Sequence, residues 1–275
     1  MGDLNQSIEN HYLKEGLYED IIHRLKEQNI ALDTVKRSDI AGVDEFHVRG
    51  AAVSRELANG IDLQGASVLD VGCGLGGPCR MLADEYGCQV TGIDLSHEYI
   101  RTASNLSKLV QLGDKTTFTQ GDATALPFED NAFDVVWTQH VQMNIPDKKK
   151  LYSEMHRVLK TGGHFLFYDI LKKGDEEISY PMPWASTVYL SFLFKAEEMD
   201  HLLQDLGMIH KQTIDQTQAG IGFFDILVAR LKEFGPPKMG LNVLMGETTK
   251  PKLMNLLRHL KEGKLELKSG VYKKS

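Results

Sequence analysis

Four glycines in six residues, directly after a short apolar strand, constrain this chain more than any other feature. The strand spans residues 68–71 and leads into Gly72, Gly74, Gly76 and Gly77. Because glycine has no Cβ, main-chain N–H groups and the N-terminus of the following helix can approach a bound nucleoside. The spacing also satisfies the dinucleotide pattern Gly-x-Gly-x-x-Gly, so the turn by itself predicts a nucleotide-type cofactor and no particular class of enzyme.

Three acids at the ends of predicted strands narrow the choice of cofactor. Asp70 lies two residues before the first glycine, where it would repel the pyrophosphate of a dinucleotide. The same carboxylate would attract a cofactor with a positive centre and an ammonium group, such as S-adenosylmethionine. Asp94 ends the next apolar strand and is expected to accept hydrogen bonds from both ribose hydroxyls, as either cofactor requires. Asp122 is placed to accept a hydrogen bond from the exocyclic amine of adenine.

Strands and helices alternate along most of the chain, which predicts an α/β fold with a parallel sheet and helices on both faces. The predicted strands are 68–71, 89–94, 116–120, 133–138, 164–169, 209–215 and 223–230. The predicted helices are 52–59, 76–86, 97–112, 147–160, 195–206 and 251–261, with an amphipathic N-terminal helix within 8–32. Ligands of such open sheets bind outside the carboxyl ends of the strands, where the three acids lie.

Composition and charge argue against several classes of protein. The chain has 275 residues, 42% of them hydrophobic and 25% charged, which is ordinary for a globular domain. No apolar run approaches the ~20 residues of a membrane span, and no secretory signal is evident. Residues 231–275 carry ten Lys and Arg against four Asp and Glu, so the total of −7 leaves −13 on the rest. An acidic body argues against a polyanionic acceptor, so no nucleic-acid partner is expected.

The cysteines indicate the compartment. Cys73, Cys79 and Cys88 are odd in number and contain no Cys-x-x-Cys pair, so we expect neither a disulfide framework nor a metal site. This predicts a reducing, cytoplasmic setting, with Cys79 and Cys88 packed as small apolar side chains. The sequence leaves a homodimer open.

Four motifs occur in order along the chain. They are Asp70-x-Gly72-x-Gly74-x-Gly76, the acid Asp94, Gly121-Asp122-Ala123, and Arg-Val-Leu-Lys-Thr-Gly-Gly at 157–163. Together they resemble the motifs of the class I S-adenosylmethionine-dependent methyltransferases. The chain looks most similar to their small-molecule branch, which includes ubiquinone-type, tocopherol, sarcosine/dimethylglycine and phosphoethanolamine methyltransferases. The stretch 137–148 is most similar to the N-methyltransferases.

The resemblance implies a Rossmann-like fold: a seven-stranded, mostly parallel sheet with helices on both faces, plus N- and C-terminal helical additions. Its last two strands, 209–215 and 223–230, would form an antiparallel hairpin. We therefore expect a helical cap over 1–60, a cofactor-binding domain over 61–234 and a C-terminal helical extension over 235–275.

The resemblance also implies the cofactor and the residues that bind it. The cofactor would be S-adenosylmethionine. The residues expected to bind it are Asp70, Gly72, Cys73, Gly74, Gly76, Asp94, Leu95, Gly121, Asp122, Ala123 and Gln139.

Three further side chains are candidates for the catalytic site. His140 follows the fourth strand, where related enzymes place residues that contact the acceptor, and its imidazole could take a proton. The alternative is a histidine bonded to a neighbouring loop. His47 lies in a segment that caps the cofactor in relatives, although His47-x-x-Gly50 replaces their frequent His-x-Gly. Tyr12 is expected either to reach over the site or to bury an apolar helix face.

The predicted activity is methyl transfer to a small-molecule acceptor, with an amine as the first expectation. Tyr180 and Trp184 could hold a methylated ammonium by cation–π attraction, or they could cover an apolar end of the sheet. A C- or O-methyltransferase acting on a quinone or another aromatic is the alternative within the class. An NAD-dependent oxidoreductase and a cofactor-binding protein without catalysis are the alternatives outside it.

Overall fold

A single mixed sheet forms the centre of the molecule. The computed structural model describes residues 2–12 and 14–275. The strands of this part are β1 Ser67–Val71, β2 Gln89–Asp94, β3 Thr116–Gln120, β4 Phe133–Gln139, β5 Leu159–Lys172, β6 Met208–Asp215 and β7 Leu265–Lys274. Their order is β3-β2-β1-β4-β5-β7-β6. Strands β1 to β5 are parallel, and β7 is antiparallel to both of its neighbours, which confirms the predicted fold class.

Helices cover both faces of the sheet. They are α1 Gly2–Tyr12, α2 Leu17–Glu27, α3 Arg37–Asp44, α4 Ala51–Ala58, α5 Gly77–Glu85, α6 His97–Leu109, α7 Lys148–Val158, α8 Ala196–Asp205, α9 Thr217–Phe234, α10 Asn242–Met245 and α11 Thr249–Lys261. Val68 of β1 packs in one apolar cluster with residues of α4, α5 and α11, whereas Leu69 and Val71 pack in another with α7 and α8. Successive side chains of a strand point to opposite faces, so Asp70 lies on the α5 side. None of the helices in the described ranges has the length and apolar character to cross a bilayer.

Most of the predicted elements are confirmed, and local chemistry explains their limits. β2 and β3 have the predicted bounds. The Ser96 hydroxyl accepts a hydrogen bond from the Tyr99 N–H at 3.3 Å and thereby caps α6. The Asp147 carboxylate caps α7 in the same way, through the Lys150 N–H at 2.9 Å.

The predicted strand 223–230 is wrong. These residues belong to the eighteen-residue helix α9, because an apolar run of this length does not by itself distinguish a strand from a buried helix. The antiparallel partner of β6 is β7 instead, which inserts between β5 and β6. The chain beyond residue 234 therefore supplies a strand of the sheet as well as helices, while the expected domain limits stay a prediction.

The N-terminal segment, where one helix within 8–32 was expected, contains two helices. α1 and α2 are separated at Gly16, which has a φ of 70°, and residue 13 lies outside the described residues. Leu17, Ile21 and Leu25 of α2 are fully buried in a cluster with Leu106 of α6. The cap thus packs on the helix that follows β2.

A buried ion pair connects this cap to helix α5. The Arg80 guanidinium on α5 is fully buried and donates to the Asp44 carboxylate at the end of α3, at 2.6 Å. It also donates to the carbonyl oxygens of Leu75 and Ala103 and to the Ser107 hydroxyl. One side chain therefore connects α3, the glycine turn and α6.

Replacing this guanidinium should destabilise the protein strongly. In Arg80→Met the Asp44 carboxylate stays buried without its cation, and we expect the free energy of unfolding to fall by about 3–5 kcal/mol. Arg55→Met is the matched control, because the Arg55–Glu85 pair is largely exposed and should cost at most about 1 kcal/mol. Urea denaturation of both variants measures the difference, and equal losses would contradict this role of Arg80.

Candidate functional site

The glycine turn between β1 and α5 forms one wall of a deep cleft at the carboxyl edge of the sheet. Gly72, Gly74 and Gly76 have φ values of 74°, 53° and 76°, which disfavour any side chain. A Cβ on Gly72 would lie 2.3 Å from a methyl of Val141, and one on Gly76 would lie 2.6 Å from the Phe118 ring. A Cβ on Gly74 would meet no atom within 4 Å. The main chain at Gly74 is therefore open to a ligand.

The three predicted carboxylates line this cleft together. The Asp94 carboxylate accepts from the Gly74 N–H at 3.0 Å and from the Ser96 N–H at 2.9 Å. The Asp122 carboxylate accepts from the N–H and the hydroxyl of Thr124, both at 2.7 Å. Asp70 is 2% exposed and accepts from the Cys79 thiol at 3.2 Å.

The electrostatics of the cleft favour a cationic ligand. Burial raises the pKa of Asp70 to about 7, and the nearby charges of Glu45 and Asp94 act in the same direction. Burial also raises the pKa of Asp94, although main-chain N–H groups oppose it. Among the described residues, no Lys or Arg lines the cleft. A positively charged group placed beside Asp70 would therefore supply its missing partner.

The cleft contains nearly all of the predicted site residues. It encloses about 1310 Å³ of empty space, its open mouth included. It is lined by every residue expected to bind the cofactor except Gly76, and also by Tyr12, His47 and His140. Gly76 instead lies immediately before α5 and contacts Phe118. The structure thus brings these residues together, and their individual roles stay predictions.

His140 lies in the wall that this cleft shares with a second, smaller cavity. Its φ is 54°, and its N–H donates to the Tyr168 carbonyl oxygen at 2.8 Å. Its ring centroid lies 4.8 Å from that of Tyr168 and 5.9 Å from that of His47. Burial, with the nearby His47 acting in the same direction, holds the pKa of His140 well below its ordinary value. The buried Nε2 of this neutral imidazole has no hydrogen-bond partner among the described residues.

His47, in contrast, is held by its neighbours. Its Nε2 lies 3.0 Å from a Glu45 carboxylate oxygen, 3.1 Å from the Ser54 hydroxyl and 3.2 Å from the Gln139 amide nitrogen. The Gln139 amide oxygen accepts from the Trp137 indole N–H at 2.9 Å. Burial by itself raises the pKa of Glu45. The hydrogen bonds from His47 and Ser54 have a larger combined effect in the opposite direction, so the pKa of Glu45 lies below its ordinary value. This network fixes the His47 ring beside His140.

Helix α1 covers the cleft. The Tyr12 hydroxyl donates to the Asn144 amide oxygen at 2.9 Å, and the Asn5 amide donates to the Asp122 carboxylate at 2.8 Å. Ile8 lies between them on the same helix and also lines the cleft. The sequence analysis missed Asn5 and Asn144. The spacing of residues 5, 8 and 12, which places them on one helix face, is a signal that could have identified Asn5.

A second cavity, which we call the apolar cavity, adjoins the cleft and encloses about 530 Å³. It shares four wall residues with the cleft: Tyr12, Phe46, His47 and His140. Its other walls are apolar or aromatic and come from the α3–α4 and β4–α7 loops, strand β5, the β5–α8 segment, and the chain from α9 to α11: Val48, Met143, Ile170, Pro183, Trp184, Phe223, Phe224, Leu227, Leu241, Met245, Leu253 and Leu256. No Asp, Glu, Lys or Arg of the described chain lines it.

Comparisons with known proteins agree with this geometry. Residues 69–167 match the family model described as a methyltransferase domain. Methyltransferase GfsG of Streptomyces halstedii is 29% identical over 72% of this chain and 75% of that protein. The 2-methyl-6-phytyl-1,4-hydroquinone methyltransferase of Synechocystis is 41% identical, over 42% of this chain and about a third, 35%, of that enzyme.

A solved structure with the same fold is phosphoethanolamine N-methyltransferase 2 of Haemonchus contortus in complex with S-adenosyl-L-methionine. It superposes with a TM-score of 0.71 at 21% identity, over 86% of this chain and 55% of that one. The methyltransferase match includes the glycine turn and the three carboxylates, which sets aside the dinucleotide interpretation of the turn. Residues 69–167 therefore form a methyltransferase domain of the class I S-adenosylmethionine-dependent type.

Proposed function

We propose that this protein methylates a small molecule whose body is aromatic or otherwise apolar, at a carbon or oxygen atom. The observation that carries the proposal is the apolar cavity, which meets the cleft at His140. Removal of an apolar body from water onto these walls is favourable. A charged amine would lose its hydration there without gaining a carboxylate partner.

The residues of the cleft fit S-adenosylmethionine, with a role for each acid. Asp70 would hold the ammonium of the methionine part, since it is buried among carboxylates and has no cation of its own. Asp94 would accept from the ribose hydroxyls and Asp122 from the adenine amine. Main-chain atoms of the turn are accessible at Gly74. The other residues expected to bind the cofactor and found in the cleft would form its walls: Gly72, Cys73, Leu95, Gly121, Ala123 and Gln139.

The cofactor supplies an electrophilic methyl group and a thioether leaving group, so the protein chiefly has to orient the acceptor and exclude water. His140 is placed for the remaining task. The lowered pKa favours the neutral imidazole, and in the tautomer whose Nε2 carries no hydrogen this atom can accept the proton of an acceptor hydroxyl. His47 acts as a positioning residue, and Tyr12 closes the site from α1.

An amine acceptor, the first expectation from the sequence, is the second candidate function. The observation that favours it is the aromatic character of the apolar cavity, where Phe46, Trp184 and Phe223 present ring atoms. Aromatic faces attract an ammonium without a formal counter-charge. Tyr180 does not line this cavity, whereas Trp184 does and is 2% exposed.

We retain three broader expectations as part of the proposal. The three free, buried cysteines support a cytoplasmic setting. The cleft has carboxylates and no Lys or Arg among its described lining residues, which supports an acceptor other than nucleic acid. A homodimer is left to be tested by analytical ultracentrifugation.

Binding of S-adenosylhomocysteine should depend on pH through Asp70. This carboxyl is ionised above its pKa of about 7, so wild-type affinity should increase between about pH 6 and pH 8. In Asp70→Asn the affinity at the higher pH should fall roughly tenfold, and the pH dependence should flatten. Calorimetry measures both effects.

The matched control is Asp114→Asn, because Asp114 is exposed and lies outside the cleft. It should bind like the wild type. Stabilisation of the wild type by NAD in place of S-adenosylhomocysteine, in a thermal shift assay, would contradict the assignment of the cleft.

A screen of phenol, quinone and amine acceptors with methyl-labelled cofactor tests the activity. We expect methylation of apolar phenols or quinones, and a loss of about a hundredfold or more in kcat for hydroxyl acceptors in His140→Ala. S-adenosylhomocysteine affinity should stay unchanged in that variant. His201→Ala, at an exposed site on α8, is the control. Labelling of amines alone would replace the proposal by the second candidate, and wild-type turnover in His140→Ala would remove His140 from the mechanism.

A further inference from the structure

A third cavity opens beside the apolar cavity, and among its wall residues are two lysines and a histidine. It is lined by His11, Lys14 and Lys252, and we call it the basic cavity. It shares Tyr12, Phe46, Pro183 and Met245 with the apolar cavity, so the two are contiguous. No Asp or Glu of the described chain lines it.

Lys252 differs from the other two basic residues of this cavity. Lys14 donates to the Asp20 carboxylate at 2.7 Å and to the Val243 carbonyl oxygen, and His11 lies 3.1 Å from the Pro183 carbonyl oxygen. Lys252 is 7% exposed. Within residues 2–12 and 14–275, no hydrogen bond or ion pair of its ammonium is found. Burial without such a partner lowers the pKa of Lys252.

The surroundings of Lys252 add to the positive potential. It lies in the first turns of α11, a helix of thirteen residues. The N-terminus of a helix carries a partial positive charge that favours anions. Gly246 and Thr248, immediately before this helix, also line the basic cavity. The Lys252 side chain is largely buried and its ammonium has no partner among the described residues, so a ligand that brings an anion to this cavity would supply one.

We propose that the methyl acceptor is amphipathic: a carboxylate or phosphate at one end binds Lys252 while the apolar body fills the apolar cavity. The far end of that body then faces His140 and the cleft. This inference rests on the proposed function and names its substrate class. The anion and the ammonium would form a charge-assisted hydrogen bond, which neutral analogues of the same length cannot form. Lys252 would thus determine specificity and take no part in the chemical step.

The test uses three probes of equal chain length: dodecanoate, dodecyl phosphate and dodecanol. Their binding to the full chain, saturated with S-adenosylhomocysteine, is measured by calorimetry. At least one of the two anions should bind roughly tenfold tighter than dodecanol. The anion that does so shows whether the acceptor carries a carboxylate or a phosphate. In Lys252→Met the preference should vanish, with alcohol affinity unchanged, and Lys252→Arg should retain it.

Lys250→Met is the matched control. Lys250 is an exposed residue of the same helix, and its substitution by Met removes the same charge. It should keep the preference. Lys252→Met should melt no lower than the wild type, because the substitution removes a cation that has no partner among the described residues and keeps an apolar side chain of similar length. Dodecanol binding as tightly as both anions, failure of all three probes to bind, or equal losses in the two methionine variants would overturn the inference. Failure to bind S-adenosylhomocysteine would instead overturn the proposed function.

Discussion

The site depends on three carboxylates, one of them buried, that share a cleft without a Lys or Arg among its described lining residues. The cleft is lined by Asp70, Asp94 and Asp122, and no described Lys or Arg lines it. Burial therefore keeps the pKa of Asp70 near 7 until a positive ligand arrives. The fold tolerates this because β1, β2 and the β3–β4 segment place the acids at one sheet edge, where main-chain and side-chain donors stabilise two of them. Selection of a cationic nucleoside follows from that arrangement.

The cofactor turn and the proposed catalytic histidine are mechanically connected. Gly72 packs so closely against the side chain of Val141, the residue after His140, that a Cβ at position 72 would clash with it. The Val141 N–H in turn donates to the Asp169 carboxylate on β5 at 3.1 Å. A displacement of the turn would therefore move the His140 loop, and the positive φ of His140 persists because packing on both sides fixes this loop.

The sequence predicted the half of the fold that carries the cofactor site better than the other half. β1 to β5 and their acids carry local signals, because apolar runs end at glycines and carboxylates. β7 has alternating Leu and charged residues, but its place between β5 and β6 depends on pairing with distant strands. For the site, the motifs predicted many of the residues that line the cleft, while their roles toward the cofactor stay predictions. The apolar cavity was not, because its walls come from segments that the fold alone brings together.

Helix α1 contributes to the walls of all three cavities. Tyr12 lines all of them, and Asn5 on the same helix occupies one oxygen of the Asp122 carboxylate. A carboxylate oxygen has lone pairs for a second donor, so adenine can bind Asp122 while Asn5 stays in place. Through Asn5, Ile8 and Tyr12 this helix forms part of the cleft wall, while the cleft keeps an open mouth. Because Tyr12 also belongs to the wall that the cleft shares with the apolar cavity, a displacement of α1 would disturb both cavities together.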